Sequence, residues 1–208
     1  MEHVIKDSRN TQEVKYNKWA ILFCVVTMTF MSCIDGSIVN VALPKISYDL
    51  NKPILDTQWI VTTYLMVISA LVLLCGRIGD IKGKCKVFKV GVLIFTIGSF
   101  FSGLSKTLPL LIVSRAIQGV GGACAMATGM GIITAFFNEK ERGKAMGLSA
   151  SAVAMGVMVG PALGGILVSI RWDLIFWINV PIGIIAFLLS MVYLPKMEIN
   201  SKEKIDIR

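Results

Sequence analysis

Six runs of mostly apolar residues, each long enough to cross the ~30 Å hydrocarbon layer of a bilayer, divide this sequence at about 19–43, 57–75, 87–104, 108–131, 145–170 and 174–194. A water-soluble chain of 208 residues could not hide that much apolar surface in one core. Apolar residues make up 55% of the chain, charged residues only 16%, and the mean hydropathy is +0.72. That balance excludes disordered, collagen-like and disulfide-scaffold classes. The expected fold is an all-α membrane protein, a six-transmembrane-helix bundle over 19–194. Tails at 1–18 and 195–208 mix both charge signs with Asn, Ser and Lys and read as solvated, poorly ordered ends. The polar stretch before the first run, and that run's length, argue against a cleaved signal peptide. Pro44 and Pro53 are expected to punctuate the first external loop, and Pro109 to lie in the first turn of the fourth span.

The formal net charge is +8, which in a soluble protein would suggest nucleic acid. Its distribution says otherwise. Sixteen of the 21 Lys and Arg residues fall in the two tails and in the second and fourth connections, four fall in the alternate loops, and Arg115 stands apart. Short loops so unequal place both termini in the cytoplasm, as an even number of spans requires, and leave no nucleic-acid role for the charge. Trp19, Trp59, Trp172 and Trp177 sit near span ends, where indoles prefer the membrane interface. The five cysteines show no CxxC spacing and read as reduced apolar residues, with no metal or cofactor implied.

Two charges remain deep in the spans. Asp35 lies ~24 Å from the inner and ~12 Å from the outer end of the first span, and Arg115 sits ~10 Å below the outer face in the fourth. Each alone costs about 2.5–3.5 kcal/mol at mid-bilayer, so each is expected to face a cavity or a partner. The two readings are a structural ion pair and a carboxylate that binds a proton or substrate as its surroundings change. Three further stretches carry glycine patterns. Gly79 and Gly83, between Gly76 and Phe88, permit a tight cytoplasmic turn with Asp80 at its centre, free to face a helix N-terminus or a cation. Gly79–Lys84 is one residue short of a P-loop. Small residues at 119, 121, 122 and 123 let helices approach closely, and Gly156, Gly160 and Gly164 line one face of the fifth span, where Pro161 bends the axis.

These stretches together resemble the fourteen-span drug:proton antiporter family of the major facilitator superfamily. IDGSIVNVALPKI from Ile34 is similar to its first-span signature, with Ser37 where Thr is usual. GRIGDIKGKCKVF from Gly76 is similar to the loop 2–3 motif, matching at Gly76, Asp80, Gly83 and Lys84, with Ile81 where a basic residue is common. LIVSRAIQGVGGACA from Leu111 matches the fourth-span motif at Arg115 and Gln118–Gly119. GVMVGPALGGIL, holding Gly156, Gly160, Pro161, Gly164 and Gly165, is similar to the antiporter motif, and RWDLIFWINVPIG from Arg171 to the start of span 6. The resemblance implies that Asp35, Arg115 and Gln118 handle protons or substrate and that the Gly76–Lys84 loop latches two halves at the cytoplasmic side. It also implies two inverted three-helix repeats with a cavity near mid-membrane.

The activity so implied is proton-coupled efflux of lipophilic or cationic drugs or antibiotics across the cell membrane by alternating access. Its partners are the drug, protons, membrane lipid, and a carboxy-terminal half or a second copy of the chain. The alternatives are a truncated half without transport of its own, or a carrier of another small metabolite. In this reading 195–208 is a cytoplasmic tail or the start of a linker to a second half. An enzyme is not expected: His3 is the only histidine and Asp35 the only acid in a span, so paired-carboxylate chemistry and a metal site both lack parts.

Overall fold

The computed structural model describes residues 16–195, in which all the regular structure is α-helical. The helices are α1 (Lys18–Asp49), α2 (Ile54–Thr57), α3 (Trp59–Lys82), α4 (Lys84–Leu104), α5 (Leu108–Phe136), α6 (Glu139–Ile170), α7 (Leu174–Trp177) and α8 (Asn179–Tyr193). The short helices α2 and α7 continue into α3 and α8. Six lengths are thus long and apolar enough to cross a membrane, as the hydropathy pattern implied: α1, Ile54–Lys82, α4, α5, α6 and Leu174–Tyr193. The tails assigned to 1–18 and 195–208 lie outside the described residues except for Tyr16–Lys18 and Pro195, and Lys18 already opens α1 behind the cap formed by Asn17.

Two local expectations are corrected. Pro44 stands not in a loop but inside α1, which continues through it to Asp49. A proline removes one helical hydrogen bond, and the turns after it are held by buried Ile46 and by the Lys45–Asp49 ion pair at 2.9 Å. The stretch 76–88 is not a loop in which Gly79 and Gly83 both turn. Only Gly83 leaves helical geometry, at φ 93°, a backbone state that favours glycine. Gly79 is a buried residue of α3, and a Cβ there would lie 2.7 Å from Thr128 Cγ2 on α5. Asp80 and Lys84 pair across the junction at 3.2 Å.

Small residues decide which helices touch. On the α4–α5 seam, a Cβ on Gly98 would stand 2.6 Å from the Gln118 backbone and one on Gly91 2.9 Å from Gly121 O. On the α1–α6 seam, Gly156 faces Cys33 and Ile34, Gly160 faces Ser37, and Gly164 faces Ile38 and Val41. The third close seam runs between α3 and α5, where Gly119 meets Tyr64 and Val67. Span 1 thus leans on span 5 while span 4 leans on span 2. That exchange is what a two-fold relation between spans 1–3 and spans 4–6 produces.

Interactions at one end fit the even number of crossings. Lys18 pairs with Glu141 at the start of α6 (2.6 Å), and Lys89 Nζ donates to Leu194 O after α8 (2.7 Å). The starts of α1, α4 and α6 and the end of α8 therefore share a face of the bundle.

The α1–α6 seam generates a test. Gly160→Leu should lower the unfolding free energy of the chain in detergent by about 2 kcal/mol or more, because overpacked contacts force backbones apart. Gly165, one turn away with open space around it, should accept leucine with little change. Equal melting behaviour of the two variants would refute the close-packing account.

Candidate functional site

The two deep charges meet. Arg115 Nη1 donates to Asp35 Oδ2 at 2.5 Å, and neither side chain has any exposed surface. Of the cavity or partner expected for each charge, the structure supplies the partner, and the pair is sealed inside the six-helix bundle. Surface clefts open at the end of the bundle opposite Lys18, including one of about 520 Å³ lined by Lys45, Asp49, Lys106, Arg171, Asp173 and Trp177. Charges this deep need every polar atom answered, since a buried group without a partner forfeits its hydration.

The answer comes from five of the six spans. Gln118, one turn along α5 from Arg115, donates Nε2 to Asp35 Oδ1 (2.9 Å) and accepts from Arg115 Nη1 (2.6 Å). The same Nε2 reaches Ser99 Oγ on α4 at 2.7 Å, a distance allowed because Gly98 lets α4 close on the backbone of Gln118. Asn179 on α8 donates Nδ2 to Asp35 Oδ1 at 2.7 Å. From α3, Arg115 Nε finds Ile60 O at 3.3 Å, and the guanidinium carbon lies 4.0 Å from the centroid of the Tyr64 ring. The Phe176 ring of α7 stands on another side at 5.7 Å. Arg115 Nη2 is the one atom of the guanidinium with no hydrogen-bond partner. Stacking on Tyr64 offsets part of that cost.

Asp35, Arg115 and Gln118 are thus brought together, while Asn179, Ser99 and Tyr64 join them unforeseen. Asn179 carried one signal in the sequence: a carboxamide inside the apolar stretch after Trp177, in a segment noted only for its resemblance. It opens α8 beside a break at Ile178, where Pro181 has no N–H for the carbonyl of Trp177. Gly183, packed on Thr96 of α4, sets the depth at which α8 enters the bundle.

The other candidates lie elsewhere. Gly76, Asp80, Gly83 and Lys84 occupy the α3–α4 junction, where the stem of Lys84 lies in the space left by Gly131, with its Cδ 2.8 Å from a Cβ built there. Gly131 is ~24 Å along α5 from Arg115. Gly156, Gly160 and Gly164 touch the far side of α1 over residues 30–41, so they can reach Asp35 only through the position of α1. Ser37 Oγ marks that contact, 3.3 Å from Gly156 O. Pro161 and Gly165 face outward.

Residues 25–208 match the model of the Major Facilitator Superfamily. Among curated proteins, the chain is 43% identical to the riboflavin transporter RibZ of Clostridioides difficile (strain 630) over 188 residues, covering 90% of this chain and 41% of that protein. It is 34% identical to the multidrug transporter protein MdtP of Bacillus subtilis (strain 168), covering 85% of this chain and 33% of that protein. The chain spans one third to two fifths of the length of these relatives. The fold is also that of the proton:xylose symporter XylE, with a TM-score of 0.74 at 13% identity over 84% of this chain and 44% of XylE.

The geometry makes Arg115 irreplaceable by lysine. Its planar fork serves Asp35, Gln118 and Ile60 at once and lies flat on Tyr64, which a single ammonium cannot do. Arg115→Lys is expected to cost about 2 kcal/mol of stability in detergent unfolding, the worth of one or two hydrogen bonds to a charged group. A variant as stable as the parent would show that the charge alone suffices.

Proposed function

The chain belongs to the Major Facilitator Superfamily, a transporter family, and from that premise we propose that it forms the amino-terminal half of a proton-coupled exporter of lipophilic or cationic compounds. The observation that carries this reading is the Asp35–Arg115 ion pair with its ring of neutral donors. An intramembrane acid held by a fixed cation can exist in two charge states, and the superfamily's alternating halves give each state an outlet. In this reading Asp35 takes up the coupled proton, Arg115 balances its charge, and Gln118 links the two. The glycine face of α6 sets where α1 stands, and the α3–α4 junction latches the chain to a carboxy-terminal half or second copy. The basic end of the bundle faces the cytoplasm of a cell-membrane protein, in line with the lopsided lysines and arginines. The likeness to MdtP supports drug export.

A second reading has its own support: the higher identity to RibZ suggests riboflavin or another small metabolite as cargo. Everted membrane vesicles containing the transporter separate the two. With an inside-acid pH gradient, they should accumulate a lipophilic cationic dye, and Asp35→Asn should cut that accumulation at least tenfold without loss of protein. Gradient-driven dye uptake by the Asp35→Asn transporter would sink the coupling role. Riboflavin uptake with no dye uptake would favour the second cargo.

A further inference from the structure

The three side chains that donate to Asp35 differ in one chemical respect: whether each can stop donating and begin to accept. The difference matters because a carboxylate only accepts hydrogen bonds, whereas a carboxylic acid must also give one away. Arg115 has no acceptor atom at all. Gln118 is held at both ends, its Oε1 accepting from Arg115 (2.6 Å) and its Nε2 also donating to Ser99 Oγ (2.7 Å). Turning its amide over would set donor against donor at the guanidinium. Asn179 is held at one end only. Its Nδ2 donates to Asp35 Oδ1 at 2.7 Å, and among the described residues nothing donates to its Oδ1.

We propose that Asn179 is the proton-responsive positioning residue of this site, its carboxamide turning over to offer Nδ2 to the charged Asp35 and Oδ1 to the protonated one. The proposal rests on the reading that Asp35 takes up the coupled proton. A half-turn about the last side-chain bond exchanges Oδ1 and Nδ2 in nearly the same place, so no backbone movement is needed. When the proton arrives, Arg115 keeps Gln118 Oε1, Ile60 O and the Tyr64 face. The new hydroxyl of Asp35 donates to Asn179 Oδ1. The titratable or charged groups around Asp35 are Arg115 on α5, Tyr64 on α3 and Cys33 on α1 itself. Helices α4, α6 and α8 present Ser99, glycines and Asn179, none of which ionises here.

Infrared difference spectroscopy of the purified chain in lipid, titrated with acid, reads both partners. The carboxylic C=O band of Asp35 is assigned by its loss in Asp35→Asn. In the unmodified chain, a carboxamide C=O change should share the midpoint of that band. In Asn179→Leu the carboxamide change should vanish while the carboxylic band of Asp35 still forms on acidification. Titration of Asp35 in the unmodified chain with no carboxamide change overturns the switch and leaves the coupling role standing, even if the leucine variant does not fold. A carboxamide change that persists in a folded leucine variant does the same. Absence of any Asp35 proton band overturns the coupling reading, and the switch with it.

Discussion

One buried ion pair constrains the rest of this bundle. Asp35 and Arg115 stand on different spans with no exposed surface, at a depth where each alone is costly. Their attraction offsets that cost only if the remaining lone pairs and N–H groups are met. Gln118, Asn179, Ser99, Ile60 O and the Tyr64 ring meet nearly all of them, leaving Arg115 Nη2 unbonded. Because the pair and these partners come from spans 1, 2, 3, 4 and 6, the network fixes the relative depth and rotation of five helices. Span 5 is set indirectly, by the glycine face that holds it to α1.

The glycine seams and the polar network depend on each other. Cross-helix hydrogen bonds of 2.7–2.9 Å demand helix axes closer than leucine-lined faces allow. Gly98 supplies that closeness for Ser99 and Gln118, Gly183 for Asn179, and Gly119 for Tyr64. A bulky residue on any of these seams therefore acts twice, by steric strain and by lengthening bonds to a buried charge. The same closeness keeps the pair from bulk solvent, so a change in the protonation of Asp35 falls first on its existing partners.

How far this was legible in the sequence follows from what each residue type signals. Asp35 and Arg115 stood out because a charge in an apolar run has no cheap alternative to a partner, and their matched depths fitted a pair. Gln118 came through resemblance. Ser99, Tyr64 and Asn179 carried almost no signal, since a hydroxyl, a phenol or a single amide in a span is common and its direction is set by tertiary packing. Pro44 and the 76–88 stretch were misread because proline and glycine mark turns only on average. In α1 the buried and paired residues beyond Pro44 carry the helix on, and before α4 Gly83 alone makes the turn. The glycine face of α6 was readable in full, as a four-residue repeat can serve only one side of a helix.

A double-mutant cycle between Asp35 and Arg115 tests the central claim most directly. The unfolding free energy in detergent is compared for the parent, Asp35→Asn, Arg115→Gln and the double variant. The single variants each leave one buried charge without its counterpart and should lose about 3–5 kcal/mol, while the double variant, with no charge left to strand, should lose much less than their sum. A coupling of about 2 kcal/mol or more is the result this account predicts. Losses that simply add, within about 0.5 kcal/mol, would contradict it and show that the two residues are independent passengers in the bundle.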